Sequence, residues 1–173
     1  MSKSNNIVKW DTGNNIVDSG ISITSIGSGG MTLIGSYDYS VNGSVANYTL
    51  TWTTTYKTLL LITKNMTGDG AGAYFVLQTS SDSGSNWGNE INVHEPKSGS
   101  TVLTYSITNM YSTGVSGPTK DCVVASNPSY GTNDNSLKCI TSSTTGIVNA
   151  IKYSYVSSTQ NINGGKIWVY GIN

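Results

Sequence analysis

Tyr56-Lys57-Thr58-Leu59-Leu60-Leu61-Ile62-Thr63-Lys64-Asn65 is followed by Met66-Thr67-Gly68-Asp69-Gly70-Ala71-Gly72, by Ala73-Tyr74-Phe75-Val76-Leu77-Gln78-Thr79, and by Ser80-Ser81-Asp82-Ser83-Gly84-Ser85-Asn86-Trp87. Two apolar, β-branched runs flank a connector of small residues, and the second ends in a turn of the form S-x-D-x-G-x-x-W. Runs of this length, bounded by Gly, Asn and Ser, read as antiparallel strands, here as a hairpin. Leu59 to Ile62 is apolar without interruption, which predicts a central strand covered on both faces. The stretch specifies strands and contains no catalytic constellation.

The same punctuation recurs along the chain. Strands are expected near 31–39, 45–52, 56–65, 73–79, 89–94, 101–108, 120–126, 137–142, 147–156 and 165–171. Alternation is clean at Tyr48/Leu50/Trp52 and at Ile167/Val169 against Trp168/Tyr170. Asn42-Gly43, Ser83-Gly84, Ser98-Gly99 and Asn163-Gly164-Gly165 supply the turn chemistry. No window carries a capped helical period over ten residues. The expected fold is all-β, an antiparallel β-sandwich of the jelly-roll kind over 31–173, with a short extended N-terminal arm over 1–30. The arm alternates short β-prone triplets with Gly/Asn turns, and Ser25-Ile26-Gly27-Ser28-Gly29-Gly30 is a natural joint. Its apolar side chains, Ile7, Val8, Trp10, Ile16, Val17 and Ile21, are too few for a core of its own. They are expected to order against other copies or another protein.

Composition narrows function by exclusion. The chain has 173 residues, enough for one domain with a self-sufficient core. Only 10% are charged; nine basic residues balance nine acidic ones, and neither sign clusters. A basic stripe for nucleic acid is missing, and no run approaches the length of a membrane span. Met1 to Asn6 followed by Ile7, Val8 and Trp10 does not read as a secretory signal. Polarity comes instead from Ser, Thr, Asn and Gly, with 11 Tyr and 4 Trp, a composition typical of extracellular or particle-surface β-proteins. Near-zero net charge suits an assembled subunit better than a concentrated free protein.

Several residues invite a chemical reading. His94 is the only histidine and lacks partners for catalysis or metal binding, so it reads as a surface residue at a strand end. Asp69 and Asp134 lie in Asx/Gly-rich loops that could offer calcium oxygens, but neither has ligands at EF-hand spacing, and no metal or cofactor is expected. Cys122 and Cys139 read as two buried thiols in strands, with a disulfide worth about 3 kcal/mol as the alternative. Tyr105, Tyr111, Tyr130, Tyr153 and Tyr155 could form a glycan platform if exposed, or core and subunit contacts if not. A glycosidase would need two carboxylates across a sugar-sized cleft, which nine scattered acids do not suggest.

The S-x-D-x-G-x-x-W turn resembles the Asp-box of sialidases: Ser80, Asp82, Gly84 and Trp87 match, and Asn86 stands where Thr is more usual. There the motif is structural, and one copy without an arginine triad implies a latch, not an activity. Asp82 should accept hydrogen bonds from the turn, Gly84 supply a positive φ, and Trp87 pack back beneath it.

Three further stretches resemble tailed-bacteriophage virion proteins of the fibre or decoration type. Asn14-Asn15-Ile16-Val17-Asp18-Ser19-Gly20-Ile21 is similar to N-x-V-D-S-G-V/I segments in fibre attachment regions. Tyr48-Thr49-Leu50-Thr51-Trp52 through Leu59 to Met66 looks like the opening of small phage jelly-roll domains. Gly165-Lys166-Ile167-Trp168-Val169-Tyr170-Gly171-Ile172-Asn173 resembles their last strand. The resemblance implies a non-enzymatic virion protein, made in the host cytoplasm and carried on the particle. It would be a homo-oligomer, commonly a trimer, bound to capsid or tail proteins through residues 1–30. Capsid decoration or a head-fibre role is the first reading; a tail-borne protein that binds host surface glycan is the alternative.

Overall fold

The computed structural model describes residues 6–10, 16–22, 30–68, 75–94, 104–128, 136–156 and 161–173, with side chains described in 30–68, 75–93, 106–126, 137–156 and 161–173. Among the described residues twelve strands are β1 (Asn6–Trp10), β2 (Ile16–Ser22), β3 (Met31–Asp38), β4 (Asn47–Thr51), β5 (Thr58–Gly68), β6 (Phe75–Ser80), β7 (Ile91–His94), β8 (Thr104–Tyr111), β9 (Lys120–Pro128), β10 (Ser136–Ser142), β11 (Ala150–Tyr155) and β12 (Ile162–Ile172). All ten strands expected after Met31 are present, with ends displaced by a few residues at most. One helical turn, α1 (Tyr39–Asn42), follows β3, capped by the Asp38 carboxylate accepting from the Ser40 backbone N–H at 3.0 Å.

Two antiparallel sheets face each other. The larger runs β10-β9-β8-β5-β12-β3 and the smaller β4-β11-β6-β7. Without β9 and β10, the sheets reduce to β3-β12-β5-β8 and β4-β11-β6-β7, which is jelly-roll wiring. The β9–β10 hairpin then widens one sheet beyond the β8 edge. β1 and β2 pair only with each other in the described ladders, with Trp10 opposite Ile16 and Lys9 opposite Val17.

The opening stretch is therefore not a hairpin. β5 pairs with β12 and β8, whereas β6 pairs with β11 and β7 in the other sheet. Both runs bury a face, and an apolar face can be covered across the sandwich as well as by a neighbour in the same sheet. The central position of β5 is as expected. Its inward Leu59, Leu61 and Thr63 are buried, but the outward Leu60 and Ile62 are only half-covered.

Alternation explains the core. Leu59, Leu61, Met110, Val124, Ile167 and Val169 from the larger sheet meet Phe75, Leu77, Ile91, Ile151, Tyr153 and Tyr155 from the smaller. Each fully buried aliphatic side chain contributes about 1.5–3 kcal/mol. Phe75 stacks on Tyr153 at 5.7 Å between centroids. Tyr153 and Tyr155 are thus interior and cannot form a glycan platform; Tyr111 is 44% exposed. The side chains of Tyr105, Tyr130 and His94 lie outside the described residues.

The two cysteines occupy adjacent strands but opposite faces, since Cys139 pairs with Val123 and Cys122 with Ile140. Both are free. Cys122 is buried and burial pushes its thiol up to about 12; Cys139 is exposed, contrary to the expectation of two buried thiols. Lys120 is buried as well. Its ammonium donates to the carbonyls of Val115 and Pro118, and burial pushes its pKa down.

Candidate binding surfaces

The Asp82 turn joins β6 to β7. Ser80, buried at the end of β6, donates through its hydroxyl to Asp82 Oδ1 at 2.6 Å and accepts from the Gly84 backbone N–H at 3.0 Å. Asn86 donates its backbone N–H to Asp82 Oδ1 at 2.9 Å and its side-chain amide to Oδ2 at 2.7 Å. These bonds, led by the Ser80 hydroxyl, hold the Asp82 carboxyl at about 2. Gly84 sits at φ 89°, and a Cβ there would come within 2.9 Å of the Trp87 ring. Trp87 lies beneath the Lys152 ammonium, 5.0 Å from the ring centroid. Ser83 N–H donates to Asn149 Oδ1 at 2.8 Å, tying the turn to the residue before β11. Both carboxylate oxygens are engaged inside the turn, so the geometry is that of a latch. Asn86, at the position where Thr is more usual, supplies one of its bonds.

The sheets differ in what they show outward. On the smaller sheet, one outer row is Thr49–Lys152–Gln78 and the next Asn47–Ser154–Val76–Asn92, polar except for the buried Val76. On the larger sheet, one row is Leu33–Tyr170–Leu60–Asn109–Val123–Cys139 and the next Ser36–Trp168–Ile62–Ile107–Ala125–Leu137. Leu33 is 51% exposed, Ile107 48% and Leu137 71%. A single-layer antiparallel sheet with one wet face alternates apolar and polar. The larger sheet instead carries two largely apolar rows on its outer side as well as an apolar inner face.

Beyond the second apolar row, at the Lys166 end, lies a groove of about 520 Å³ lined by Ser40, Lys64, Asn65, Thr67, Trp168 and the backbone of Gly164 and Gly165. Lys64 and Lys166 are direct cross-strand partners. Lys166 Nζ is 2.6 Å from Asp38 Oδ2, and that hydrogen bond holds the Asp38 carboxyl below its usual range.

Sequence reading placed neither surface. The signal for the apolar face was Trp168/Tyr170 standing opposite Ile167/Val169, large residues on both faces of one strand. The side chains of Ile7, Val8, Trp10, Ile16, Val17 and Ile21 lie outside the described residues, as do Asp69 and Asp134. Among the described residues no group of three or more His, Cys, Asp or Glu could hold a metal ion, and no helix is long and apolar enough to cross a membrane. No known family profile matches the chain, and no curated protein matches it.

Proposed function

We propose that this protein is a non-enzymatic structural subunit of a tailed-bacteriophage virion, a capsid decoration (cement) or head-fibre protein that attaches through residues 1–30 and assembles with copies of itself. The observation that carries the reading is the contrast between outer faces: polar on the smaller sheet, apolar on the larger along two rows in which Asn109 and Ser36 are the polar members. The occupant of the apolar face is a neighbouring copy of this chain. Six strands about 4.8 Å apart and two apolar rows about 6.6 Å apart span on the order of 24 by 13 Å, about 300 Å² in projection. Standing side chains raise the accessible area above the projection, so the face supplies one part of the roughly 800 Å² per partner that a stable interface buries. Balanced charge, nine against nine, leaves little repulsion between copies. The motifs at Asn14–Ile21, Tyr48–Met66 and Gly165–Asn173 supply the virion context by resemblance, and trimers are the form that resemblance suggests.

Two measurements test this. Light scattering should give an oligomer for the wild type and a monomer with native circular dichroism for Ile107→Lys/Leu137→Lys; a wild type that stays monomeric at high concentration refutes the interface. Removing residues 1–28 should leave a folded domain that no longer co-sediments with its particle, and retained co-sedimentation refutes the anchor. A tail-borne, glycan-binding role is the second reading, favoured by the groove beside Trp168. Labelling on purified particles separates shell and vertex from tail.

A further inference from the structure

We infer that the groove between α1 and the Lys64/Lys166 end of the larger sheet is a binding site for a monoanionic saccharide, a sugar ring bearing one carboxylate. The inference depends on the groove alone and not on where the protein is carried, so a shell protein and a tail protein would both bind.

The first ground is charge. Like charges directly opposite on neighbouring strands destabilise a sheet, yet Lys64 faces Lys166 across the β5–β12 ladder. Among the described residues the ion pair of Asp38 is with Lys166, and its other bond is from the Ser40 backbone N–H. Among the described residues two ammonium groups and one carboxylate leave a net single positive charge there, and Lys64 has no ion-pair partner. That balance matches one carboxylate better than a phosphate dianion.

The second ground is shape. β12 is bulged twice against β5, between Ile162 and Gly164 and between Gly164 and Lys166, and β5 is irregular against β8 between Lys64 and Met66. Bulges concentrate beside binding sites, where they redirect side chains. Gly165 holds φ 96°, and a Cβ there would lie 2.6 Å from the Asn65 carbonyl oxygen, so the floor remains bare backbone. Asn65 itself holds φ 55° with its amide oxygen buried and unpartnered. Local strain gathered at one spot is a mark of functional sites.

The third ground is the lining. Trp168 stands on the same outward face as the two lysines, one alternation from Lys166. An indole face packs against sugar C–H groups. Ser40 and Thr67 bring hydroxyls, and the Thr67 hydroxyl donates to Asn163 Oδ1 at 2.9 Å, leaving its oxygen free to accept. A ring lying on Trp168 would place its carboxylate at Lys64, where a charge-assisted hydrogen bond forms. The volume, about 520 Å³, suits one or two sugar units.

The probe is methyl glucuronide, titrated into the full-length protein with amide chemical shifts as readout. Methyl glucoside and inorganic phosphate are the comparison ligands. The expected result is saturation with Kd on the order of 1 mM, with shifts centred on Lys64, Gly164, Gly165, Lys166 and the Trp168 indole. Lys64→Gln, an exposed substitution, should weaken binding about tenfold with the spectrum otherwise native. Added salt should weaken it too. Absence of saturation, equal affinity for the neutral glucoside, tighter binding of phosphate, or an unaffected Lys64→Gln variant would each overturn the assignment.

Discussion

Replacing Tyr39 separates the two things a buried tyrosine does. Tyr39 opens α1, is 1% exposed, and packs edge-on against Tyr37 with centroids 4.7 Å apart. Its hydroxyl is buried without a hydrogen-bond partner. An unsatisfied buried hydroxyl costs about 1–3 kcal/mol, so Tyr39→Phe keeps the ring and should stabilise the fold by about 1–2 kcal/mol. In a domain of this size that is a rise in Tm of about 2–8 °C. Tyr39→Ala removes the ring as well and should lose about 3–5 kcal/mol. A pH series adds an independent check. Burial, then the neighbouring Tyr37 and Tyr48, raise the Tyr39 pKa above the ordinary value of 10.0. Above that value the unfolded chain releases a proton that the folded chain keeps, so stability falls as pH rises past about 10. The Phe variant should show a shallower alkaline decline, with Tyr153, also raised by burial, accounting for part of what remains. Urea denaturation followed by circular dichroism measures both effects. A Tyr39→Phe variant less stable than wild type by 1 kcal/mol or more would show that the hydroxyl is bonded in the fold, and the reasoning would fail.

Three more outcomes are expected. Asp82→Ala should lower Tm at neutral pH with oligomeric state unchanged. Because the folded carboxyl titrates at about 2 against 3.8 unperturbed, the gap from wild type should be full above pH 4 and close as pH falls toward 2; a gap independent of pH would contradict the latch. Gly171→Ala should cost about 1–3 kcal/mol, since the new methyl would stand 2.3 Å from the Tyr56 ring, and a neutral result in chemical denaturation would show that Tyr56 yields freely. Cys139 alone should react with an aromatic disulfide reagent in the native state, one thiol per chain, because Cys122 is buried with its thiol pushed up to about 12. Two fast thiols would place Cys122 at the surface.

Strand positions were legible because period-two alternation is written in local sequence, as at Ile167-Trp168-Val169-Tyr170. Sheet membership was not. The runs on either side of Met66–Gly72 look the same whether they pair with each other or lie in opposite sheets, and only the competition of β8, β11 and β12 for their edges decides it. The Asp82 turn was legible because its bonds, Ser80 to Asn86, are local. The groove was not, because Lys64 and Lys166 come from distant segments, and their opposition follows from register alone. Cys139 was misplaced for the same reason: a one-residue step decides which face of β10 it occupies.

The β9–β10 hairpin connects the fold to the assembly reading. The four-stranded sheet can cover only part of a six-stranded one, so the last strands add less to the core than to the surface. The inward positions of β9 are still buried at Cys122 and Val124, but those of β10 at Lys138 and Ile140 are only half-buried. Outward, the same two strands contribute Val123, Ala125, Leu137 and Cys139 and extend both apolar rows to the sheet edge. Leu137, with 71% of its surface exposed, buries little in the monomer. A hairpin that exposes a leucine at a free edge invites unwanted pairing, and it becomes a stabilising feature once a neighbouring copy covers that face. In the assembly we propose, the widened sheet is half of an interface.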